Sequence, residues 1–280
     1  MPLTERDRSV FKEIQEWENQ LLNYEANDLQ LAYEKYLHRT FSLLPEKIQK
    51  QFFTVIDSWL FHLHGMIQSS QMQQDAKERI LDSGRVFLKE VEKIEDMRQL
   101  EIDQLHYIAG QLIARHRLYS LVQGGLAGTG GKMLLGMDIP TLTIINLRVV
   151  QLIAMTYGFE VNTPFEMMTS LKVFHTACLP QRLQKQGWLE LKQELELMEN
   201  PYFYEGKEEI TDITWIEQPL QQLLKAMVIT QFRHKLIQGV PLLGIAIGAG
   251  VNYQLTRKVT SFAEKYYQLR YLYEKEEFSK

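Results

Sequence analysis

Cysteine is almost missing from this chain. Cys178 is the single one in 280 residues, so no intramolecular disulfide can form, and a reducing, intracellular compartment is expected. A surplus of charge is missing as well. The 31 basic and 35 acidic residues leave a net charge of −4, which removes the electrostatic basis for nucleic acid as the main partner. The N-terminus, MPLTERDRSVFKEIQEWENQ, has no apolar run and no small-residue cleavage site, so a secretory signal is not expected and the chain should stay on the cytoplasmic side of any membrane it meets. No segment alternates apolar and polar residues as a half-buried strand would. HExxH, CxxC and Gly-x-Ser-x-Gly are all absent, and with them the most legible routes to metal-dependent or serine hydrolysis. No metal or cofactor is expected.

What the chain does have is helical periodicity, at 45% apolar content, enough for a sizeable core. The pattern from Glu5 to about Leu43 predicts one helix, and Pro45 suits the first turn of a second that reaches about His64. Asp75 to Leu121 is periodic again, with an interruption expected near Ser83-Gly84 or around Met97. Thr163-Pro164-Phe165-Glu166 combines an N-cap threonine, a proline at the first helical position and a glutamate two residues after it, which predicts a capping box and a helix to about Cys178. Pro180 stops that helix, and another should run from Arg182 to Met198 before Asn200-Pro201. Pro201–Thr214 is the best candidate for a loop, helix resumes near Trp215 towards Lys235, and Arg257 to about Glu277 predicts a last amphipathic helix. The fold class is all-α, a multi-helix globular bundle. Residues 1–118 form an N-terminal helical region and 119–280 a glycine-rich helical core, continuous with it as one domain.

Two glycine-rich apolar stretches stand out at the centre of that core, Ser120–Gly158 and Leu236–Thr256. Gly124/Gly128, Ala127/Gly131, Gly244/Gly248 and Ala246/Gly250 repeat at four-residue spacing, the arrangement that lets helix backbones approach closely. A phosphate-binding loop is excluded, since a Walker A pattern ending at Gly131-Lys132 fails at Leu126 and Met133. A dinucleotide fingerprint from Gly128 fails at Met133 too. The second stretch is uncharged over about the length of a bilayer span, yet Pro241, its glycines, Gln238, Asn252 and Gln254 oppose insertion. The first carries Lys132, Asp138 and Arg148, each costly in hydrocarbon. A buried core, a membrane-inserting hairpin and a membrane span all remain open, with Arg233, His234, Lys235, Arg257 and Lys258 placed to meet anionic headgroups.

Few residues point to chemistry. Pro140 is expected to open a helix, which puts Asp138 just before its N-terminus and Arg148 about three turns along it. In one reading Asp138, Asn146, Arg148 and Asn252 converge on a ligand or lipid headgroup; in the other, Asp138 is a cap, Arg148 has an acidic partner and the asparagines satisfy local backbone. His175 and Cys178 are spaced as a thiol–imidazole pair with no visible orienting residue. Asp103 and His106 share the same spacing, whereas His62 and His64 point to different faces of a helix. Tyr253, Tyr266, Tyr267, Tyr271 and Tyr273 suit either an interfacial belt or the buried face of the last helix.

The order Asp138-x-Pro140, Arg148, Tyr157-Gly158, then Pro241, Gly244, Gly248, Asn252, Ala263 and Arg270 resembles the EcsC protein family. The resemblance covers Tyr119–Glu160 and Leu236–Leu272. That family occurs in bacterial operons which also encode an ABC transporter ATPase and its membrane subunit, and it has no established activity. The resemblance therefore implies a non-enzymatic accessory protein, peripheral on the inner face of the cell membrane and linked to an ABC transporter. The glycines and Pro241 would serve helix packing or membrane contact, and the partner would be a membrane surface or membrane protein. Two alternatives stand beside it: a binding protein for a hydrophobic small molecule or lipid, and a hydrolase whose site has no recognisable motif.

Overall fold

A computed structural model describes residues 3–32, 35, 39, 43, 45–129, 132–196 and 241–277. Among these residues the chain is all-α, with no strand. Helix α1 (Glu5–Leu22) opens on a capping box in which Thr4 and Asp7 satisfy each other's backbone N–H groups. It stops at Asn23, short of the expected Leu43. Asn23 donates its side-chain amide to the Asn19 carbonyl, and Asn27 accepts the Gln30 N–H at 2.9 Å. These local bonds compete with helix continuation, and the chain runs non-helically between them.

Pro45 is the N-cap residue of α2 (Glu46–Gln68), and Ser70 caps α3 (Gln71–Arg85). The interruption expected near Ser83-Gly84 or around Met97 occurs at both places. Helix α3 ends beside Gly84, and a 3-10 turn, η1 (Ile94–Gln99), carries Met97 into the core. Helices α4 (Ile102–Thr129) and α5 (Lys132–Thr156) follow, then α6 (Pro164–Cys178) and α7 (Gln181–Glu196). Helix α8 (Pro241–Glu277) closes the described chain. The 118/119 division falls inside α4. The core lies where α4, α5 and α8 pack together, with α6 on the flank of α8.

Two expectations about the glycine-rich stretches are corrected. Pro140 lies within α5 instead of opening it, so Asp138 is inside a helix and not ahead of an N-terminus. Proline removes the N–H that would reach the Gly136 carbonyl and crowds that carbonyl, but its fixed φ is helical and the helix continues through it. The second stretch and the last amphipathic helix are one element, α8, 37 residues and about 55 Å long. Among the described residues Gly158 alone has a positive φ, at 88°. The α8 glycines thus lower helix propensity without bending the backbone out of the helical region.

Gly158 ends α5 in the left-handed conformation expected of a helix C-cap glycine. The following start is half as predicted. Thr163 accepts the Glu166 N–H, but the Glu166 carboxylate turns away to Arg270 and leaves the capping box open. No helix among the described residues is long and apolar enough to cross a membrane. Gly131, the 201–214 loop, the 215–235 helix and the stop at Asn200-Pro201 lie outside the described residues, as do the side-chain surroundings of Gly128, Asp138, Pro241 and Gly244.

Candidate functional site

The two glycine-rich stretches meet where α4 crosses α8. A methyl group built on Gly124 would lie 2.2 Å from the Gly248 carbonyl oxygen and 2.8 Å from Asn252 Cγ. The helices are therefore in backbone contact, which only glycine permits. Ala127 is buried one turn along from Gly124. Asn252, also buried, donates to Gln123 Oε1 at 2.6 Å and ties the crossing with a side-chain amide bond. Gly250 faces the other way, with no atom within 4 Å of a Cβ placed there.

The opposite face of α4 points outwards. Arg115, Leu118, Tyr119, Val122 and Leu126 follow the i, i+3, i+4, i+7, i+11 spacing of a single helix face. Leu118 is 57% exposed, Tyr119 46%, Val122 51% and Leu126 61%. Val251 on α8 is exposed as well. No Asp or Glu occurs between Gln104 and Met137 or between Gln218 and Ala263. This end of the bundle thus combines outward apolar side chains with a sequence free of acidic residues.

Arg148 sits half-buried on α5, and no carboxylate among the described residues pairs with it. Its Nη2 donates to the Met72 carbonyl at 2.7 Å and its Nε to Gln73 Oε1 at 3.2 Å, both on α3. Gln73 in turn donates to Gln151 Oε1 at 3.2 Å, and Gln151 donates to His64 Nδ1 at 2.9 Å. His64 completes the relay with a bond to the Val161 backbone. Every donor in this chain points away from Arg148. The direction requires a neutral imidazole accepting at Nδ1, and burial does push the His64 pKa down to about 4.

Asn146 donates to the Leu142 carbonyl on its own helix and leaves Oδ1 buried without a partner. His116 behaves similarly: Nδ1 contacts the Leu112 carbonyl at 2.9 Å, and Nε2 is buried without a partner. Burial, helped by the charges of Arg148 and Arg115, lowers the His116 pKa to about 4. The bonds of Arg148 thus run to α3, those of Asn146 stay on α5, and that of Asn252 runs to α4.

The sequence did not expose the strongest electrostatic feature. Arg270 on α8 is buried and makes a bidentate pair with Glu166 on α6, at 2.7 and 2.5 Å. Arg270 also reaches Glu274 at 3.3 Å, and Glu274 lies 2.8 Å from Arg98. Both guanidinium groups lie over the Phe159 ring, that of Arg270 at 3.9 Å and that of Arg98 at 4.6 Å. Burial opposes the Arg270 charge, but Glu166 offsets it and raises the pKa. The signal for this pair lay in Arg270 itself, a cation in an apolar helical stripe. Its partner is 104 residues away, in a position that reads locally as a cap.

The remaining chemical candidates resolve as structural. Burial raises the Cys178 thiol to about 12, which makes it a poor nucleophile. Asp103 pairs with Arg6 and His106 with Glu264, so these two neighbours have separate partners. His62 is exposed while His64 is buried, as the two-residue spacing requires. No group of three or more His, Cys, Asp or Glu among the described residues is placed to hold a metal. Tyr266, Tyr267 and Tyr271 are buried, which corrects the interfacial-belt reading: they belong to the core. Tyr266 packs with Trp188, which in turn meets Trp17 and Phe262 edge-on.

These observations define an all-helical protein in which a glycine crossing joins two apolar segments and a buried arginine–glutamate pair locks the far end. The chain belongs to the EcsC protein family, which it matches over residues 8–272. It is similar to the uncharacterized protein YdbA of Bacillus subtilis strain 168, with 25% identity over 287 aligned residues covering 97% of this chain and 96% of that protein. No solved structure matches the chain.

Proposed function

We propose that this protein is a non-enzymatic accessory protein that docks peripherally on the cytoplasmic face of the cell membrane through the outer face of α4. The carrying observation is the exposed row Leu118, Val122 and Leu126, contiguous on one helix face and free of acidic neighbours along the chain. Such a row stays in water only at a cost, roughly 1.5–3 kcal/mol for each large apolar side chain that a second phase would cover. A lipid surface fits because Arg115 lies on the same outward face and the inner leaflet is anionic. The linkage to an ABC transporter rests on the resemblance to the family and supplies the membrane protein beside which the chain would work.

Co-sedimentation of the intact chain with phosphatidylcholine/phosphatidylglycerol vesicles tests the docking. Val122→Asp/Leu126→Asp alters only the outer face, and it should abolish binding while leaving the circular dichroism spectrum unchanged. Equal binding by this variant would contradict the proposal. A second reading, a hydrophobic ligand oriented by Arg148, draws support from the absence of a carboxylate partner for that arginine among the described residues. A co-purifying lipid seen by native mass spectrometry, and lost in Arg148→Ala, would favour it over docking.

A further inference from the structure

Helix α4 changes its pattern half-way along. In the first half the large aliphatic side chains turn inward: Ile102, Leu105, Ile108, Leu112 and Ile113 are all buried, as water on the outer side requires. Tyr107 is the exception, and its ring meets Phe87 edge-on. From Ala114 onward the order is reversed. Leu118, Tyr119, Leu121, Val122 and Leu126, every large apolar side chain in that half, are exposed. The buried positions there hold His116, Ser120, Gly124 and Ala127 instead.

Helix α8 meets this half with polar groups. Asn252, Thr256 and Thr260, spaced four apart, are all buried. Asn252 is bonded to Gln123, and Arg117 donates to Thr260 Oγ1 from Nε at 3.0 Å and from Nη2 at 2.8 Å. Small residues and hydrogen bonds thus lie inside and hydrocarbon lies outside. Water opposes that order; apolar surroundings favour it, because there only close contact and polar ties hold helices together.

Two further features decide how such a face can sit. Helix α5 begins at Lys132, three residues past the end of α4, and carries Asp138 in its second turn. End-on insertion would draw both charges into hydrocarbon, where each is costly. Arg115 and Arg117 stand where the reversed half begins, two residues apart and so on different sides of α4. Arg257, exposed, lies within one turn of Thr260 on α8. The apolar row starts among cations, and α4 carries no carboxylate after Asp103.

We infer that residues 114–127 of α4 lie side-on in the headgroup–acyl boundary of an anionic membrane, with Leu118, Leu121, Val122 and Leu126 among the acyl chains. This rests on the docking reading above and adds its orientation and depth. Side-on burial of one helix face reaches about 5–10 Å, enough to cover the row while the helix ends stay at the surface. Arg115 lays its stem along the apolar face and keeps its guanidinium group at the phosphates. The polar seam between α4 and α8 stays closed, since acyl chains offer its hydrogen bonds no substitute.

Depth-resolved quenching tests this on the intact chain. Leu118→Cys, Leu126→Cys and, on the exposed side of α7, Leu189→Cys would each carry a fluorophore in a Cys178→Ser background. The vesicles are phosphatidylcholine/phosphatidylglycerol, brominated on the acyl chain near the headgroup or near the methyl end. Shallow bromines should quench the Leu118 and Leu126 probes alike and more strongly than deep ones, with the Leu189 probe unaffected. Leu118→Gln/Leu121→Gln should lower vesicle binding at least about tenfold, and Arg115→Gln about fivefold on anionic vesicles alone, both with an unchanged circular dichroism spectrum. Deep quenching at Leu126 with shallow quenching at Leu118 means end-on insertion, which overturns the side-on placement and leaves docking standing. Quenching at Leu189 as strong as at Leu118 overturns it as well, by moving the contact to another face. No binding to any vesicle overturns the docking reading itself. A dimer in the absence of vesicles, returned to monomer by Leu118→Gln/Leu121→Gln, gives the face to a second copy and overturns the membrane assignment.

Discussion

The two ends of α8 are packed by opposite means. Near Gly248 the helix meets α4 backbone to backbone, with no charged side chain between them and Asn252 as the polar tie. Near Arg270 it is held by bulk and charge: Tyr266, Tyr267 and Tyr271 fill the core, and Arg270 pairs with Glu166 between rings. A crossing made of glycine has no room for a functional side chain, so what it presents to a partner must lie on its outer faces. At the other end Arg270, Glu166, Glu274 and Arg98 are matched to one another within the fold. The comparison sets the charged residues of the far end, paired inside the bundle, against the outward apolar face of α4 on which the proposed docking depends.

The ionic end should be the more fragile to a single change. Arg270→Met leaves Glu166 buried without its partner, and it should cost about 3–5 kcal/mol as a lowered urea midpoint. Glu166→Leu added to it should restore most of the loss, because the desolvation of both charges is then relieved. A neutral Arg270→Met would remove the contrast between the two ends.

The glycine end should respond to size alone. Gly124→Ala drives a methyl into the Gly248 carbonyl, which is backbone and cannot swing aside; about 1–3 kcal/mol should be lost in thermal unfolding. Gly250→Ala, two residues beyond Gly248, meets nothing and should gain up to about 1 kcal/mol from helix propensity. Equal effects at the two positions would mean that the helices do not touch.

A further effect comes from two buried histidines, His64 at the end of the relay and His116 on α4. His64 and His116 have folded pKa values lowered to about 4 from 6.5. Depressed histidines contribute stability that is complete above the unfolded value and lost as pH falls through the window from 6.5 towards 4. Denaturant midpoints should therefore fall as the pH is lowered through that window. His64→Gln should flatten the profile; an unaltered slope in that variant would place the loss elsewhere.

Much of this contrast was legible in the sequence. Glycines at four-residue spacing announced a close approach, and Gly124 meets Gly248 as such spacing allows. The Thr163-Pro164 start and the Gly158 end are local signals, and both hold. Longer-range facts were hidden. The Glu166 position reads as the third residue of a capping box, and nothing within a turn or two reveals that its carboxylate is taken by a residue on another helix. Pro140 reads as a helix start because proline favours the first turn, yet its φ is equally helical within α5.

The central claim is that the outer face of α4 meets the membrane while the glycine crossing behind it stays closed. Val122→Cys and Ala127→Cys, each in a Cys178→Ser background, would carry an environment-sensitive fluorophore or report thiol reactivity with and without phosphatidylglycerol vesicles. On binding, the Val122 probe should shift to the blue and brighten, while the Ala127 thiol, buried one turn from Gly124, should remain unreactive. A silent Val122 probe on vesicle-bound protein, or an Ala127 position opened to lipid reagents, would contradict the account.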